Sequence, residues 1–340
     1  MDKDFKRWRR LLYVLSILFL VIFFLAVRAV LLPFILAILL VYLVNPLLKT
    51  MERYGLSRLW TLYFLVFTSF VVGVIIFLYA LPVLEEKLSF FTENMAELMA
   101  HFDEMAGQGQ RELEKILGRQ RLAGMLLQKI KMVSLLYLEK AVKGLGEILS
   151  HTLSIILAPL LAFYFLRDWE KIGQTVGSYF PAGKRQSIFA FIEELDCVVG
   201  GFIRGQFLIS LIIGILAFIG LWIIGIDSAL VLGVIAGFTN LIPYFGPFLG
   251  ALLTLLWVLL NVPQKALWAL GLFLGIQQLE SMVISPLVLK ATLGLHPLVI
   301  IFSVLVGGYL LGFWGLVIAV PLAGAIRVFL RYLKPFLVQE

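Results

Sequence analysis

The stretch NLIPYFGPFLG, residues 240–250, lies deep in an apolar run, yet it contains two prolines, two glycines, an asparagine and a tyrosine. Pro243 and Pro247 cannot donate backbone hydrogen bonds, and in a continuous helix each would clash with a carbonyl one turn earlier. Broken backbone at membrane depth is tolerated only where protein or a watery cavity surrounds it. The stretch therefore predicts a discontinuous helix whose ends face a central cavity, as in many transporters. A simple turn between two helices outside the membrane is the alternative.

Four further residues of this stretch fit a broken helix. Gly246 and Gly250 carry no side chain, so a second backbone can approach them closely. Asn240 and Tyr244 supply polar groups for the carbonyls and amides that the break leaves without helical partners. We therefore expect all four residues to surround the break.

The composition places the chain in a membrane. Of its 340 residues, 61% are hydrophobic and only 14% are charged, whereas a soluble domain carries about 25% charged residues. The apolar runs do not alternate with polar residues as barrel strands do, so the spans are helices. Runs of about 20 residues, long enough to cross the hydrocarbon core, lie at 11–27, 30–48, 59–83, 148–166, 203–224, 267–289 and 313–333. Shorter runs lie at 228–241, 244–261 and 297–311.

These runs predict an all-α, polytopic membrane bundle of about seven to eight spans with discontinuous or re-entrant hairpins. A weak repeat supports the hairpins. Shifted by 69 residues, IGIDSALVLGVIAGFTNLIPYFG (224–246) overlays LGLHPLVIIFSVLVGGYLLGFWG (293–315). Each repeat unit, 203–262 and 267–335, makes an odd number of net crossings. The two units would therefore be inverted, an arrangement that recurs in secondary transporters.

The chain divides into four regions: N-terminal transmembrane helices at 1–84, an extracytoplasmic amphipathic helical hairpin at 85–146, the fourth span with a cytoplasmic amphipathic segment at 147–202, and a transport core at 203–340. A heptad-like apolar stripe from Leu81 to Met105 predicts that the third span continues as a long helix. The hairpin packs on itself or on neighbouring subunits, which leaves a homo-oligomer open. A ligand-binding module is the alternative.

Basic residues set the orientation of the chain. They cluster in short stretches beside the spans, which is the positive-inside pattern, so the net charge of +7 does not indicate a nucleic-acid surface. The clusters before the first span, around 49–58, at 167–185 and at 327–334 place both termini in the cytoplasm. Residues 85–146 then lie outside. The amphipathic stretch 187–199 is expected along the cytoplasmic face of the membrane.

Glu280 is the carboxylate of the later apolar spans, within GLFLGIQQLESMVISP, residues 271–286. Gln277 lies three positions earlier on the same helix face, Ser281 joins from the i+4 position, and Pro286 predicts a kink or an end. An ionisable side chain in hydrocarbon is costly, so we interpret this face as lining a substrate or ion route. Burial disfavours the charged form, so Glu280 could exchange protons. A buried polar cluster that pins helix contacts is the alternative.

Arg204 and Gln206, in GGFIRGQ, begin the fifth span from the cytoplasmic side. An arginine at that edge is by default an anchor that extends to the interface. Alternatively, Arg204 pairs with an acid such as Glu280 or binds an anionic group at the cytoplasmic mouth.

The sequence carries no catalytic or cofactor motif. It contains neither H-E-x-x-H nor G-x-S-x-G, and His101, His151 and His296 have no ligand spacing. The single cysteine, Cys197, allows no internal disulfide and no cysteine-based metal cage. We therefore predict no enzyme activity, no cofactor, no metal site and no nucleic-acid partner.

These residues, taken in order, resemble the AI-2E transporter family of bacterial permease-like membrane proteins. The resemblance covers nearly the whole chain through LLPFILAILLVYLVNPL, LAPLLAFYFLRD, GFIRGQ, NLIPYFGP, IQQLE with ISPLVL, GLHPL and GGYLLGFWGLVIAVPLAG. It implies an inner-membrane transporter that exports the quorum signal autoinducer-2 or, for some members, exchanges sodium for protons. Carried over position by position, the candidate pathway residues are Arg204, Gln206, Asn240, Pro243, Tyr244, Gly246, Pro247, Gln277, Glu280, Pro286, His296 and Pro297.

Three functions remain open at this point. The leading one is a secondary transporter or exporter of a small polar solute, with membrane lipids and that solute as partners, because no ATP-binding sequence is present. The second is a monovalent cation/proton antiporter in which Glu280 titrates. The third is a non-transporting membrane scaffold whose 85–146 hairpin binds an extracytoplasmic partner.

The predicted orientation can be tested with a cysteine at position 110. In a Cys197→Ser background, Gln110→Cys should react with a membrane-impermeant maleimide added to intact cells, because the basic flanks place 85–146 outside. A cysteine at Lys3 should react only after the cells are lysed. Protection of position 110 in intact cells would contradict the orientation.

Overall fold

The computed structural model describes residues 30–75, 152–178, 182–288 and 294–338, and every regular element in these ranges is helical. The predicted first span at 11–27 and the predicted hairpin at 85–146 lie outside the described residues. The α-helices are α1 Val30–Arg53, α2 Arg58–Ile75, α3 Thr152–Ser178, α4 Ala182–Leu195, α5 Gly201–Ile224, α6 Ala229–Thr239, α7 Phe245–Asn261, α8 Ala266–Leu279, α9 Ser285–Val288 and α10 Pro297–Val338.

Two π-helical segments interrupt this series. Asp196–Gly200 joins α4 to α5, and Glu280–Ile284 joins α8 to α9. By length and apolarity, four helical stretches in the described part of the chain are candidate membrane spans, namely Val30–Arg53, Ser187–Ile224, Pro263–Val288 and Pro297–Tyr332. The chain is thus an all-helical membrane protein, and the count of seven to eight spans stays a prediction.

The helix predicted to break at 240–250 is broken. α6 ends at Thr239 and α7 begins at Phe245, so five residues form a corner between them. Tyr244 has a φ of 66°. Residues with a side chain seldom adopt a positive φ, and this value marks a sharp change of chain direction. Pro243 lies in the corner, as predicted. Pro247 is the third residue of α7, where its missing N–H has no helical acceptor to lose, so the prediction that it also breaks the helix is wrong.

Close backbone contact holds the first hairpin, α6–α7, together. A Cβ on Gly246 would collide with the carbonyl oxygen of Thr239 and would lie 2.7 Å from the Cα of Asn240. A Cβ on Gly250 would lie 3.0 Å from the Cα of Ala236. The predicted role of both glycines in close approach is therefore confirmed.

A second hairpin lies within α10. Leu311 and Gly312 depart from helical geometry, and the chain folds back there into two arms, 297–310 and 313–338. A Cβ on Gly307 would collide with the carbonyl oxygen of Gly315 on the opposite arm. The first arm is about 21 Å long and α6 is about 16 Å long. Both are shorter than the roughly 30 Å of a hydrocarbon core, and whether these segments dip into the membrane or contribute to a full crossing stays a prediction.

The two hairpins approach each other from opposite ends of the bundle. The open end of the first lies beside the α5–α6 turn, since Lys265 Nζ donates to the Gly225 carbonyl. The open end of the second lies beside α4, since Arg331 Nη1 contacts Glu194 Oε1 at 2.6 Å. α4 precedes the first residue of α5, and Gly225 follows its last residue. The open ends of the two hairpins are therefore about one length of α5 apart.

The tips of the two hairpins meet inside the bundle. The ring of Phe238, beside the first corner, stacks on Phe313, beside the second, with centroids 5.0 Å apart and planes at 7°. Gly225 and Gly294, paired by the 69-residue overlay, both have positive φ. Gly246 and Gly315, also paired, both press against the preceding arm. The inverted symmetry of the two units itself stays a prediction.

The N-terminal helices form a second layer against α3. Ala37, Val41 and Leu48 of α1 share a buried cluster with Leu62 of α2 and with α3. A smaller cluster of Leu32, Leu36 and Ala158 is packed against Trp314, which joins this layer to the second hairpin.

The predicted amphipathic stretch 187–199 covers most of α4 and the start of the π segment that follows it. It continues through the π segment into α5 as one helical stretch, Ser187–Ile224. Its Phe191 ring packs edge-on against Phe329 and Tyr332 of α10. The expected position of 187–199 along the cytoplasmic face of the membrane stays a prediction.

The hairpin contact predicts opposite effects for two glycine substitutions. Gly246→Ala should destabilise the protein by about 1–3 kcal/mol, because the new methyl group meets only backbone atoms that cannot move aside. Gly275→Ala should be neutral or stabilising by up to about 1 kcal/mol, because no heavy atom lies within 4 Å and alanine favours the helix. Thermal unfolding in detergent compares the two. Equal melting temperatures would contradict the close contact.

Candidate functional site

A chain of buried hydrogen bonds crosses the bundle at the first hairpin corner. Gln206 Nε2 of α5 donates to the backbone oxygen of Asn240 at 2.6 Å. Asn240 Nδ2 donates in turn to Glu280 Oε1 at 3.3 Å. Asn240 is completely buried, and Gln206 and Glu280 are each 9% exposed. Three polar residues from three separate helical elements therefore meet in an apolar interior.

Local structure explains why these residues meet. α5 and α6 pack closely because Gly214 faces the backbone of Gly233 and Gly237, and this contact brings the end of α6 alongside Gln206. The break after Thr239 leaves the Asn240 carbonyl without a helical donor, and Gln206 supplies one. Glu280 begins the π segment at the end of α8. Such segments are frequent at functional sites because they change the direction of side chains within a helix.

Two acceptor atoms of this cluster remain without hydrogen-bond partners. Asn240 Oδ1 and Glu280 Oε2 are buried and unpaired within the described part of the chain. The hydroxyls of Ser210 and Thr254 are likewise buried and unpaired. Buried acceptors normally find a partner, since leaving one unpaired costs about 1–3 kcal/mol. The cluster can therefore accept hydrogen bonds or a cation from a ligand.

A narrow pocket opens beside the cluster, with room for about one water-sized ligand. Gln277, Glu280 and Pro247 line it together with Gly250. Its apolar walls come from α5, α6 and α8 through Ile213, Ala236, Phe273 and Ile276. The predicted sharing of one face by Gln277 and Glu280 is confirmed, because both side chains border this pocket.

Glu280 has no cationic partner among the described residues. Its Oε1 accepts the hydrogen bond from Asn240 Nδ2, and no ion pair joins Glu280 to Arg204. Arg204 lies instead beside Tyr42 of α1 at Gly200. The alternative of an Arg204–Glu280 pair is therefore wrong, because Glu280 turns toward the corner of the first hairpin.

Several other predicted residues lie away from the cluster. The Ser281 hydroxyl donates to the backbone of Gln278, and Ser281 is exposed, so its predicted place beside Glu280 is wrong. The wider π turn moves the next side chain off the face that a regular helix would give it. Tyr244 is 60% exposed, so it does not satisfy the freed backbone groups as predicted. Its positive φ turns the side chain outward.

Pro286, His296 and Pro297 occupy helix ends. Pro286 is the second residue of α9, so the predicted interruption takes the form of the π segment before it. His296 is exposed, and its Nδ1 accepts from the backbone N–H of Leu298 at the start of α10, while Pro297 opens that helix. Their role in a transport pathway stays a prediction.

The sequence patterns did not predict the two buried hydroxyls, those of Ser210 and Thr254. Ser210 lies four residues after Gln206 on α5, and Thr254 four residues after Gly250 on α7. Both therefore share a helix face with residues that had been singled out, and that spacing was the available signal. No three His, Cys, Asp or Glu side chains come together as a metal site would require, within 30–75, 152–178, 182–288 and 294–338.

The fold and this site define a class of protein. Apolar helices, broken at membrane depth around a buried carboxylate, are the architecture of membrane transporters. The chain belongs to the AI-2E transporter family, which it matches over residues 12–334.

Relatives of the chain support the same class. The proposed transport protein YrrI of Bacillus subtilis (strain 168) is 31% identical over 320 residues, which cover 90% of this chain and 87% of YrrI. The proposed permease PerM of Escherichia coli (strain K12) is 26% identical over 329 residues, which cover 93% of this chain and 90% of PerM. The chain is thus an integral bacterial membrane protein of a transporter family.

The hydrogen bond from Gln206 can be tested by removing its donor. Gln206→Met keeps the length of the side chain but leaves the buried Asn240 oxygen unpaired, which should cost about 1–3 kcal/mol of stability. Gln278→Met is the matched control, since Gln278 is exposed and should tolerate the change. Both are measured by thermal unfolding in the same detergent. A Gln206→Met protein as stable as the control would show that the bond contributes nothing.

Proposed function

We propose that the chain is a secondary transporter that exports a small polar solute across the bacterial inner membrane, with autoinducer-2 as the type of solute implied by its family. The observation that carries this proposal is the Gln206–Asn240–Glu280 chain at the point where a membrane helix breaks. A purely structural membrane protein gains nothing from an unpaired carboxylate oxygen in its interior. A transporter needs such a group to bind and release its ligand.

The placement of the cluster supports a transport role. Gln206 lies near the middle of the helical stretch Ser187–Ile224, about 27 Å along it from Ile224. Glu280 lies within the stretch Pro263–Val288, about 21 Å along it from Ala266. Both therefore lie well inside the bundle, at the level where Phe238 and Phe313 bring the two hairpin tips together. In this account, displacement of one tip opens the cluster toward one end of the bundle while the other tip keeps it closed. Both termini are proposed to be cytoplasmic, as the basic flanks predict.

A second candidate function is exchange of a monovalent cation for protons. Two observations favour it. The pocket beside Glu280 has room for about one water-sized ligand, which suits an ion better than an organic solute. Glu280 Oε2 and Asn240 Oδ1 offer oxygen ligands of the kind that hard cations prefer. Protonation of Glu280 would then release the cation, because one carboxylate cannot bind a proton and the cation at the same time.

Reconstituted protein tests both candidates with one variant. Glu280→Gln keeps the size and hydrogen bonding of the side chain but removes its charge, so transport coupled to an ion gradient should be lost while the protein still folds. Ser281→Ala is the matched control, because Ser281 is exposed and contacts only Gln278. Proteoliposomes are assayed with a panel of polar solutes, including autoinducer-2, and with imposed pH and sodium gradients.

The readouts separate the two candidates. Solute flux that Glu280→Gln abolishes supports the solute transporter. Sodium-dependent proton movement in the absence of any solute supports the antiporter. Wild-type transport and wild-type pH dependence in a well-folded Glu280→Gln protein would contradict both. Loss of transport in Ser281→Ala as well would mean that the π segment, not the carboxylate, is responsible.

A further inference from the structure

The two hairpins differ in how closely they pack against the rest of the bundle. In the first hairpin, α6 lies backbone to backbone on α5. A Cβ on Gly233 would lie 2.9 Å from the carbonyl oxygen of Gly214, and a Cβ on Gly237 would lie 2.8 Å from that of Ser210. Backbones packed this closely resist sliding, because any displacement brings main-chain atoms into collision. The first hairpin is therefore fixed to α5.

The glycines of the second hairpin face the hairpin itself. A Cβ on Gly307 would collide with the Gly315 carbonyl oxygen, and a Cβ on Gly308 would lie 2.6 Å from the Leu316 side chain. Both partners belong to the opposite arm of the same hairpin. Toward the other helices the second hairpin presents side chains, such as Phe313 of the main buried cluster. Contacts between side chains allow packed elements to slide or to hinge, so the second hairpin is the freer of the two.

The second hairpin is held differently at its two ends. At the base, Arg331 pairs with Glu194, and aromatic rings pack beside this ion pair. At the tip, Phe313 stacks on Phe238 of the first hairpin. Beside this stack the indole N–H of Trp314 is buried without a hydrogen-bond partner among the residues that the structure describes. An unpaired buried donor is costly, so the tip is the less well satisfied end.

We propose that the second hairpin is the mobile gate of the polar cluster, that it pivots at its base beside α4, and that the first hairpin stays fixed on α5. Displacement of the tip separates Phe313 from Phe238, which precedes Asn240 by two residues, and uncovers the corner that holds Glu280. The gate opens toward the end of the bundle at which α4 lies. This inference deepens the transport function proposed above and rests on it.

Double electron–electron resonance between spin labels on the full chain tests the proposal. In a Cys197→Ser background, a label at Leu208→Cys on α5 is paired in turn with three others. These are Tyr309→Cys near the second tip, Ile326→Cys near the second base and Leu230→Cys on the first hairpin. All four labelled side chains are exposed in the wild type. Labelled protein is diluted with unlabelled protein, so that each distance arises within one chain.

Removal of the stacked ring should displace the tip alone. We expect Phe313→Ala to raise the ratio of displaced to closed distances in the Tyr309 pair about two- to tenfold, because an aromatic pair contributes about that factor beyond its buried area. The Ile326 and Leu230 pairs should keep one distance each. Phe302→Ala is the matched control, the same substitution on the same hairpin at a side chain that is 67% exposed. It should leave all three pairs unchanged.

Each contrary result overturns a named part of the proposal. A second distance in the Leu230 pair would make the first hairpin the mobile one, and an equal shift in the Ile326 pair would mean that the whole hairpin moves without a pivot. A single distance in the Tyr309 pair of folded Phe313→Ala would remove the gate. Phe313→Leu keeps an apolar side chain without the ring and should act in the same direction, which provides a milder variant if alanine prevents folding.

The distances are measured without any transport assay, so the two proposals fail separately. Proteoliposomes that transport nothing while the second tip moves would contradict the proposed function and not the mobile hairpin. Normal transport by a protein whose second tip stays fixed in Phe313→Ala would overturn the gate and leave the proposed function intact.

Discussion

The hydrogen bond from Asn240 to Glu280 is the constraint around which the described core is arranged. A carboxylate in a membrane interior must have a partner, and here that partner comes from the corner of a broken helix rather than from a basic side chain. The corner exists because Pro243 cannot continue α6 and because Gly246 lets α7 fold back against Thr239. Gln206 then satisfies the carbonyl that the break exposes. The corner that Pro243 and Gly246 form therefore requires a donor such as Gln206 for the carbonyl that it exposes.

The same logic extends to the second hairpin. Gly315 packs against Gly307 in the second hairpin, as Gly246 packs against Thr239 in the first. In each hairpin the contact lets the two arms lie directly against each other. The stacked rings of Phe238 and Phe313 then join the two tips beside the polar cluster. The Arg331–Glu194 ion pair and the contacts of the Phe191 ring with Phe329 and Tyr332 hold the base of the second hairpin to α4. Rigid bases and short, glycine-rich tips are suited to a site that must open to one end at a time.

The sequence predicts the helix break at Pro243 and the buried carboxylate of Glu280, but it does not predict the hydrogen bond that joins Asn240 to Glu280. Pro243 and Glu280 each violate the rules of a plain membrane helix, so single positions reveal them. The partnership of Asn240 with Glu280 spans 40 positions and depends on how α5, α6 and α8 pack, which no local pattern encodes. The π segment at Glu280 has no residue signature, and it is the reason why Ser281 was wrongly placed beside Glu280. Tyr244 was misplaced for a similar reason, since its left-handed backbone depends on the completed corner.

Infrared difference spectroscopy of the reconstituted chain tests most directly whether Glu280 is the group that the transported ligand engages. Spectra are recorded before and after a transported solute or sodium is added, and the Glu280 carboxyl band is identified by its absence in Glu280→Gln. The account predicts that this band shifts when ligand is added, because the unpaired Oε2 gains a partner or the carboxyl changes its protonation. A Glu280 band that stays unchanged while the same preparation transports would contradict it.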